Sequence, residues 1–479
     1  SIMKSEEGRE KTIRTERQGT FASSLFVFIL CVAILMFGIL GLGLGAHVPI
    51  VFAAMAAILY GLYLHIPFAE LEQAMIKTVS ESMGSMLILL VIGMLIASWI
   101  ACGTVPYIIY LGLNMINPSW FLLLVVILCG VMSSITGSSW TTIGTIGVAF
   151  MGIAIGLGIP VGITAGAIAC GAFFGDKCSP VSDFTIFASG VAKLDIYKHC
   201  LNVLYTTGPA FLISCVIFGV VGLRYGGGSI DEAAIVTIRD GLNSVYQFGP
   251  VLWLPLLALV IMIILKLPAI PSLMIGTLAG IAVAVFYQGI GLGAAMGYLY
   301  NGFSAETGIT QVDQILNRGG MASMMFVVSL MMCSLAMAGV FERTQMLMQI
   351  VYKMGSLIQK RLGLMLATLI TGVLMSYFAA DPYIAALVPV KAFEHQYDEM
   401  GLDRSVLSRT ISDGAVCMCP IVPWGSSGVF VSQTLGVAVG VYFPFYFMGF
   451  LTPVFTILTA ATGIGIKYVK KAVKDKASA

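Results

Sequence analysis

The chain reads as apolar runs of about twenty residues separated by short polar stretches, the spacing of segments that cross a bilayer. Candidate spans cover 21–45, 46–65, 84–102, 160–190, 200–223, 249–265, 269–289, 321–340, 405–436 and 441–466. Two of them are interrupted, 160–190 at 176–183 and 405–436 at 419–427. Prolines at 180, 420 and 423 prevent a continuous helix there. Two further apolar stretches, 119–157 and 362–393, break midway at Thr136-Gly137-Ser138-Ser139 and at Ala379-Ala380-Asp381-Pro382. Each half is short for a crossing, which predicts re-entrant hairpins. Their tips at membrane depth require protein or a wet cavity to satisfy the freed backbone.

The order of elements then recurs. Three spans, a hairpin, a broken span and a span fill 21–223, and the same order fills 249–466, with a polar linker at 224–248. Ser133/Ser376, Phe150/Phe393, Gly158/Gly401 and Gly171/Gly414 match at one constant offset, and Pro180/Pro420 match after a three-residue gap. Five crossings per half make the halves inverted. The expected fold is therefore an all-α polytopic membrane protein, an inverted repeat of two five-span units, each with a re-entrant hairpin and a broken helix.

Charge supports this orientation, because Lys and Arg collect in cytoplasmic loops. Residues 1–20 carry Lys4, Arg9, Lys11, Arg14 and Arg17, and the tail 467–479 carries Lys467, Lys470, Lys471, Lys474 and Lys476, so both termini are expected inside a cell (inner) membrane. The loop before the second hairpin holds Arg343, Lys353, Lys360 and Arg361, while its counterpart, 103–118, holds no Lys or Arg. Lys193 and Lys198 follow the first broken span; 437–440 after the second has neither.

Composition narrows the class. The 479 residues are 58% hydrophobic and 10% charged, against about 25% charged in an average soluble protein. The net charge of +2 gives no basis for nucleic-acid binding. The ten cysteines lie mostly in apolar runs and read as small, reduced core residues; Cys417 and Cys419 lack the further ligands a metal needs. The four histidines lie near predicted loop ends and are expected to be interfacial. No phosphate loop is present, which argues against ATP drive, and no catalytic dyad suggests an enzyme.

Between Gly84 and Ala192 the only charged side chains are Asp176, Lys177 and Asp183, together in one break. Ionisable groups in lipid are costly and mark ion or substrate paths, and broken helices free carbonyls and helix ends to bind ions. Sodium takes oxygen ligands, as other hard cations do. Thr136, Ser138, Ser139, Thr141 and Thr142 at the first hairpin, with Ser179, Ser182 and Asp183, supply hydroxyls and a carboxylate; helix packing is the alternative role of the two threonines 141 and 142. Asp176 and Lys177 either pair with another charge and cap the broken helix or handle a cation or proton; for Lys177 the alternatives are snorkelling toward a surface and competing with a cation for Asp183. In the second half Asp381 stands at the hairpin tip and Asp413 in the first part of the broken span. Asp381 is the leading candidate for binding a proton or cation, since burial raises a carboxylate's pKa and a bound cation lowers it. Asp413 has a structural pairing as its alternative. Tyr383, Trp424, Gly425, Ser426 and Ser427 could line a solute pocket, with packing the alternative for the aromatics.

Gly175-Asp176-Lys177-Cys178-Ser179-Pro180-Val181-Ser182-Asp183, preceded by Phe173-Phe174, resembles the signature break of the NhaC-type sodium/proton antiporter family. Ala380-Asp381-Pro382-Tyr383-Ile384-Ala385 is similar to its second hairpin tip, and Ser412-Asp413-Gly414 with Pro420-Ile421-Val422-Pro423-Trp424-Gly425 to its second broken helix. The resemblance extends over roughly 21–466 in element order. It implies an ion-transporter-superfamily fold, sodium coupling, sites at the two hairpin tips and often a homodimer. Departures at Phe184, where the family commonly has Thr, and at Gly425, where it commonly has Asn, leave room for a small carboxylate or amino acid as solute. The expected function is a secondary active sodium/proton antiporter, with a sodium-coupled carrier or exchanger of an organic acid or amino acid as the alternative. A gated channel comes third. Sodium, a coupling ion rather than a cofactor, is expected at Asp183, Ser179, Ser138 and Asp381.

Overall fold

The computed structural model describes residues 17–226, 232–355, 360–379 and 382–469. Asp381 and all but the last few residues of the first tail lie outside the described residues, as does the second tail from residue 470 onward. The described chain is helical throughout. Its only extended pairing is one antiparallel bridge between Leu402 and Tyr468. In lipid no water is present to take unpaired N–H and C=O groups, so an apolar chain of this length closes its hydrogen bonds within helices. Among the described residues seven helices are long and apolar enough to cross a membrane, and up to ten if each bent pair is one span.

Two compact units are present, and they are not the two sequence halves. One combines residues up to Ser82 with Met332–Leu357; the other combines Met83–Met331 with the residues from Ile358 onward. In the first, Thr20 and Ser23 close a capping box at the start of Phe21–Met36. Ser23 and Ser24 hydroxyls meet Tyr60 Oη at 2.9 and 3.0 Å. Arg343 pairs with Glu70 at the start of Phe68–Glu81, an amphipathic helix the hydrophobic pattern did not reveal.

The second unit carries the breaks. Pro118–Thr136 and Ser139–Gly156 form the first hairpin, with legs of 19 and 18 residues. They are longer than the sequence reading allowed because the turn takes only Gly137 and Ser138. Gly137 has φ +65°, the left-handed conformation glycine adopts without strain. The first leg packs against Val161–Cys178, and the two backbones touch: a Cβ on Gly175 would lie 2.5 Å from Gly130 O and Ser134 N. Ser133 Oγ donates to Ala172 O across this contact at 2.5 Å. In the second half Arg361–Ala379 packs on Arg404–Met418 through Gly372 and Gly414, and Ser376 Oγ donates to Ala415 O at 2.8 Å. Both bonds join residues 39 apart, so the contact itself recurs. The region expected to be a polar linker holds a helix, Glu232–Val245, that buries Ile238 and Leu242, with Tyr246 buried just past its end at the same four-residue spacing.

Candidate cation site

Val161–Cys178 stops at Cys178, four residues pass, and Asp183–Val191 begins. The second piece is started by Ser182, whose Oγ accepts from Thr185 N at 3.3 Å. The second hairpin leg is started by Ser138, whose Oγ accepts from Thr141 N at 3.1 Å. Two capped helix N-termini thus converge on Asp176, in the last turn of Val161–Cys178. Ser139 Oγ donates to Asp176 Oδ2 and Ser182 Oγ to Oδ1, each at 2.6 Å. The positive ends of both helices favour the carboxylate anion, and lone pairs stay free for a cation, two on Ser139 Oγ and one on Ser182 Oγ, which already accepts from Thr185 N.

This carboxylate faces a cavity of about 80 Å³ lined by Ser138, Ser139, Asp176 and Asp183 from the first half and by Tyr383 and Ser427 from the second. Residues of both breaks and of both hairpin stretches therefore line one cavity. Asp183, exposed, also lines a larger side cavity of about 490 Å³ together with Thr136, Thr141 and Lys266. Phe184, Phe187 and Tyr383 cluster at the same place, with Tyr383 5.8 and 5.2 Å from the two phenylalanine rings.

Other expected ligands are occupied elsewhere. Ser179 Oγ donates to Ser134 O at 2.8 Å and so ties the break to the hairpin. Thr136 Oγ1 and Thr142 Oγ1 both donate to Ser138 O, at 3.3 and 3.0 Å. Trp424 Nε1 donates to Tyr377 O at 2.5 Å, Gly425 starts Ser426–Leu435, and Ser426 Oγ is buried without a hydrogen-bond partner among the described residues.

Lys177 and Asp413 form an ion pair with no exposure on either side chain. Lys177 Nζ also donates to Thr207 Oγ1 at 2.8 Å and contacts Cys417 Sγ at 3.3 Å. Asp413 accepts from Thr206 Oγ1 at 3.1 Å and from Thr456 Oγ1 at 2.6 Å. Every oxygen and the ammonium have partners, the condition under which a buried pair is tolerable. The three threonines escaped the sequence reading, although Thr206-Thr207 is a polar doublet inside an apolar span and Thr452, Thr456 and Thr459 repeat at helical spacing. His199, expected at an interface, is buried and meets Ser408 Oγ at 2.6 Å. It lies one turn into Ile196–Gly226, on the face that packs against Arg404–Met418.

An all-helical membrane protein whose broken helices enclose a hydroxyl-bound carboxylate has the build of a secondary transporter. Comparison with known proteins agrees. The profile of the Na+/H+ antiporter family matches residues 17–187 and 171–464. The Na(+)/H(+) antiporter NhaC of Alkalihalophilus pseudofirmus is 37% identical over 452 residues, 94% of this chain and 97% of that protein. The Malate-2H(+)/Na(+)-lactate antiporter of Bacillus subtilis is 35% identical over 93% of this chain and 96% of its own length. The arginine/ornithine antiporter ArcD of Halobacterium salinarum is 34% identical over 94% and 93%. The chain belongs to the Na+/H+ antiporter family.

Proposed function

We propose that this protein exchanges Na+ for H+ by alternating access, with Asp176 as the carboxylate that holds either ion. The observation that carries the reading is Asp176 between two hydroxyls at 2.6 Å, facing a cavity to which both halves contribute. Sodium would take Asp176 and the oxygens of Ser139 and Ser182, with Ser138 and Asp183 at the mouth; a proton on Asp176 would release it. Asp381 directly precedes Pro382, which lines the cavity, and is proposed as a second carboxylate from the facing hairpin. Thr136, Thr141 and Thr142 shape the turn that presents Ser138, and Ser179 holds the break against it. Asp413 serves as counter-charge to Lys177.

The second reading, a sodium-coupled carrier or exchanger of a small carboxylate or amino acid, draws support from the malate–lactate and arginine–ornithine relatives. Tyr383, Trp424, Gly425, Ser426 and Ser427 would flank such a solute. The cavity at Asp176, about 80 Å³, holds ions and waters and falls below the roughly 300 Å³ at which organic-ligand pockets begin; the adjoining cavity of about 490 Å³, which shares Ser138 and Asp183, has room for the solute of the second reading. We also infer a cell-membrane location with both termini cytoplasmic, a homodimer, no cofactor beyond Na+ as coupling ion, and no enzymatic activity. Purified protein in sealed liposomes tests the exchange. A sodium gradient should drive proton movement, read by a pH-sensitive dye, with no organic solute present, and Asp381→Asn should remove it. Proton movement that requires a labelled dicarboxylate or amino acid would establish the second reading instead.

A further inference from the structure

Ser426–Leu435 begins at the cation cavity, where Ser427 lines the wall, and ends at a second and larger cavity of about 510 Å³. At 1.5 Å rise per residue, ten residues set the two roughly 15 Å apart. The second cavity is lined by polar side chains, among them Asn301, Ser304, Asn317, Arg318, Gln433 and Thr434, and by no acidic residue. Its volume lies within the range of about 300–1,000 Å³ typical of small-molecule sites.

The wall is built rather than incidental. Gly302, Gly319 and Gly320 all have left-handed φ, +87°, +83° and +85°. A Cβ on Gly320 would fall 2.2 Å from Gly302 N, and one on Gly319 would fall 2.6 Å from Ala97 N, so the chain can approach itself here only through glycine. This turn presents Arg318 to the end of Ser426–Leu435. Arg318 Nε donates to Gln314 O and Nη1 to Leu435 O, both at 2.9 Å. Gly436 lets the guanidinium lie flat against it, since a Cβ there would sit 3.2 Å from Nη2.

Two observations then point to a ligand. A guanidinium has five N–H donors, the two carbonyls take two of them, and among the described residues no carboxylate pairs with Arg318. Beside it Thr434, 4% exposed, has a buried Oγ1 without a partner among the described residues. A cation and a spare hydroxyl, surrounded by amides, match a planar oxyanion, which a guanidinium fork binds through paired hydrogen bonds. We propose that this cavity is a binding site for a small carboxylate, held by Arg318 with Thr434, Gln433 and Asn317 completing its hydrogen bonds.

The test uses the purified full chain in sodium-free detergent buffer, so that it is independent of the cation site. Thermal unfolding is followed while choline succinate is titrated, against choline chloride and choline phosphate at equal ionic strength. Succinate is expected to raise the Tm saturably, with the half-maximal concentration increased about tenfold or more in Arg318→Gln, the loss of a charge-assisted pair. Arg318 also caps Leu435, so Thr434→Val and Gln433→Ala are measured in parallel; each should raise the half-maximal concentration roughly threefold or more with no fall in the ligand-free Tm, since Thr434→Val removes a buried hydroxyl that has no partner among the described residues. A rise with phosphate but not succinate, no saturable rise, or equal succinate midpoints in wild type and Thr434→Val overturns the proposal.

Discussion

The two breaks share a scaffold and differ at their centres. In each half a hairpin leg crosses the first part of a broken helix through glycines, and a serine hydroxyl donates to a carbonyl 39 residues away. At the first break the scaffold exposes Asp176 and gives its two oxygens the hydroxyls of Ser139 and Ser182. At the second the corresponding stretch is Cys419-Pro420-Ile421-Val422; Tyr442 Oη donates to Pro420 O there, and Trp424 Nε1 of the break donates to Tyr377 O in the hairpin leg Arg361–Ala379. One break places hydroxyls around a carboxylate; the other has no carboxylate at its centre and has carbonyls taken by ring donors, with Ser426 Oγ left unpartnered among the described residues. A repeated way of interrupting a helix thus yields one reactive centre and one fixed support. The pair Lys177–Asp413 joins the two, one charge from each broken helix.

The largest effect should come from splitting that joint. Asp413→Asn leaves Lys177 buried with no compensating charge, and the expected cost is about 3–5 kcal/mol. A Lys177→Met, Asp413→Leu double variant should recover most of the loss in a thermal unfolding scan. If the double variant is as unstable as the single one, the pair is more than a mutual counter-charge.

A smaller difference should separate the two glycine contacts. Gly175→Ala places a methyl 2.5 Å from backbone atoms of Gly130 and Ser134 that cannot move aside, and should cost about 1–3 kcal/mol. Gly372→Ala meets Gly414 and Ala415 only at 3.2–3.4 Å and should cost less. Equal Tm losses would erase the distinction between these two positions; the second crossing is itself tight at Gly414, where a Cβ would lie 2.7 Å from Leu369 O.

The smallest effect lies at Asp313, outside both breaks and the membrane spans. The amide and hydroxyl of Thr307 donate to its carboxylate at 2.8 and 2.7 Å and hold its pKa below the usual value. A carboxyl with a depressed native pKa stabilises the fold above its unfolded pKa, and that stabilisation fades as pH falls through the native value. Wild type should therefore exceed Asp313→Asn slightly in Tm at pH 7, with the curves converging in acid. A gap that widens in acid would contradict the assignment.

The sequence revealed the breaks because proline, glycine and aspartate interrupt runs that are otherwise uniformly apolar. It located Asp176 and Ser182 within seven residues of one another, and Ser139 separately at the first hairpin tip, 37 residues before Asp176. It could not tell which serine would turn toward Asp176: Ser182 does, while Ser179 turns to Ser134. Lys177 had a visible need for a partner, but the one it takes is 236 residues away, beyond any local pattern. Phe68–Glu81 and Glu232–Val245 were missed because amphipathic helices with many polar residues resemble linkers when only apolar length is counted.

Sodium titration by calorimetry, comparing wild type with Asp176→Asn, probes the centre of this account most directly. It predicts saturable sodium heats in wild type, none in Asp176→Asn, and a Tm for the variant near that of wild type. Sodium binding of undiminished affinity in a folded Asp176→Asn protein would contradict it.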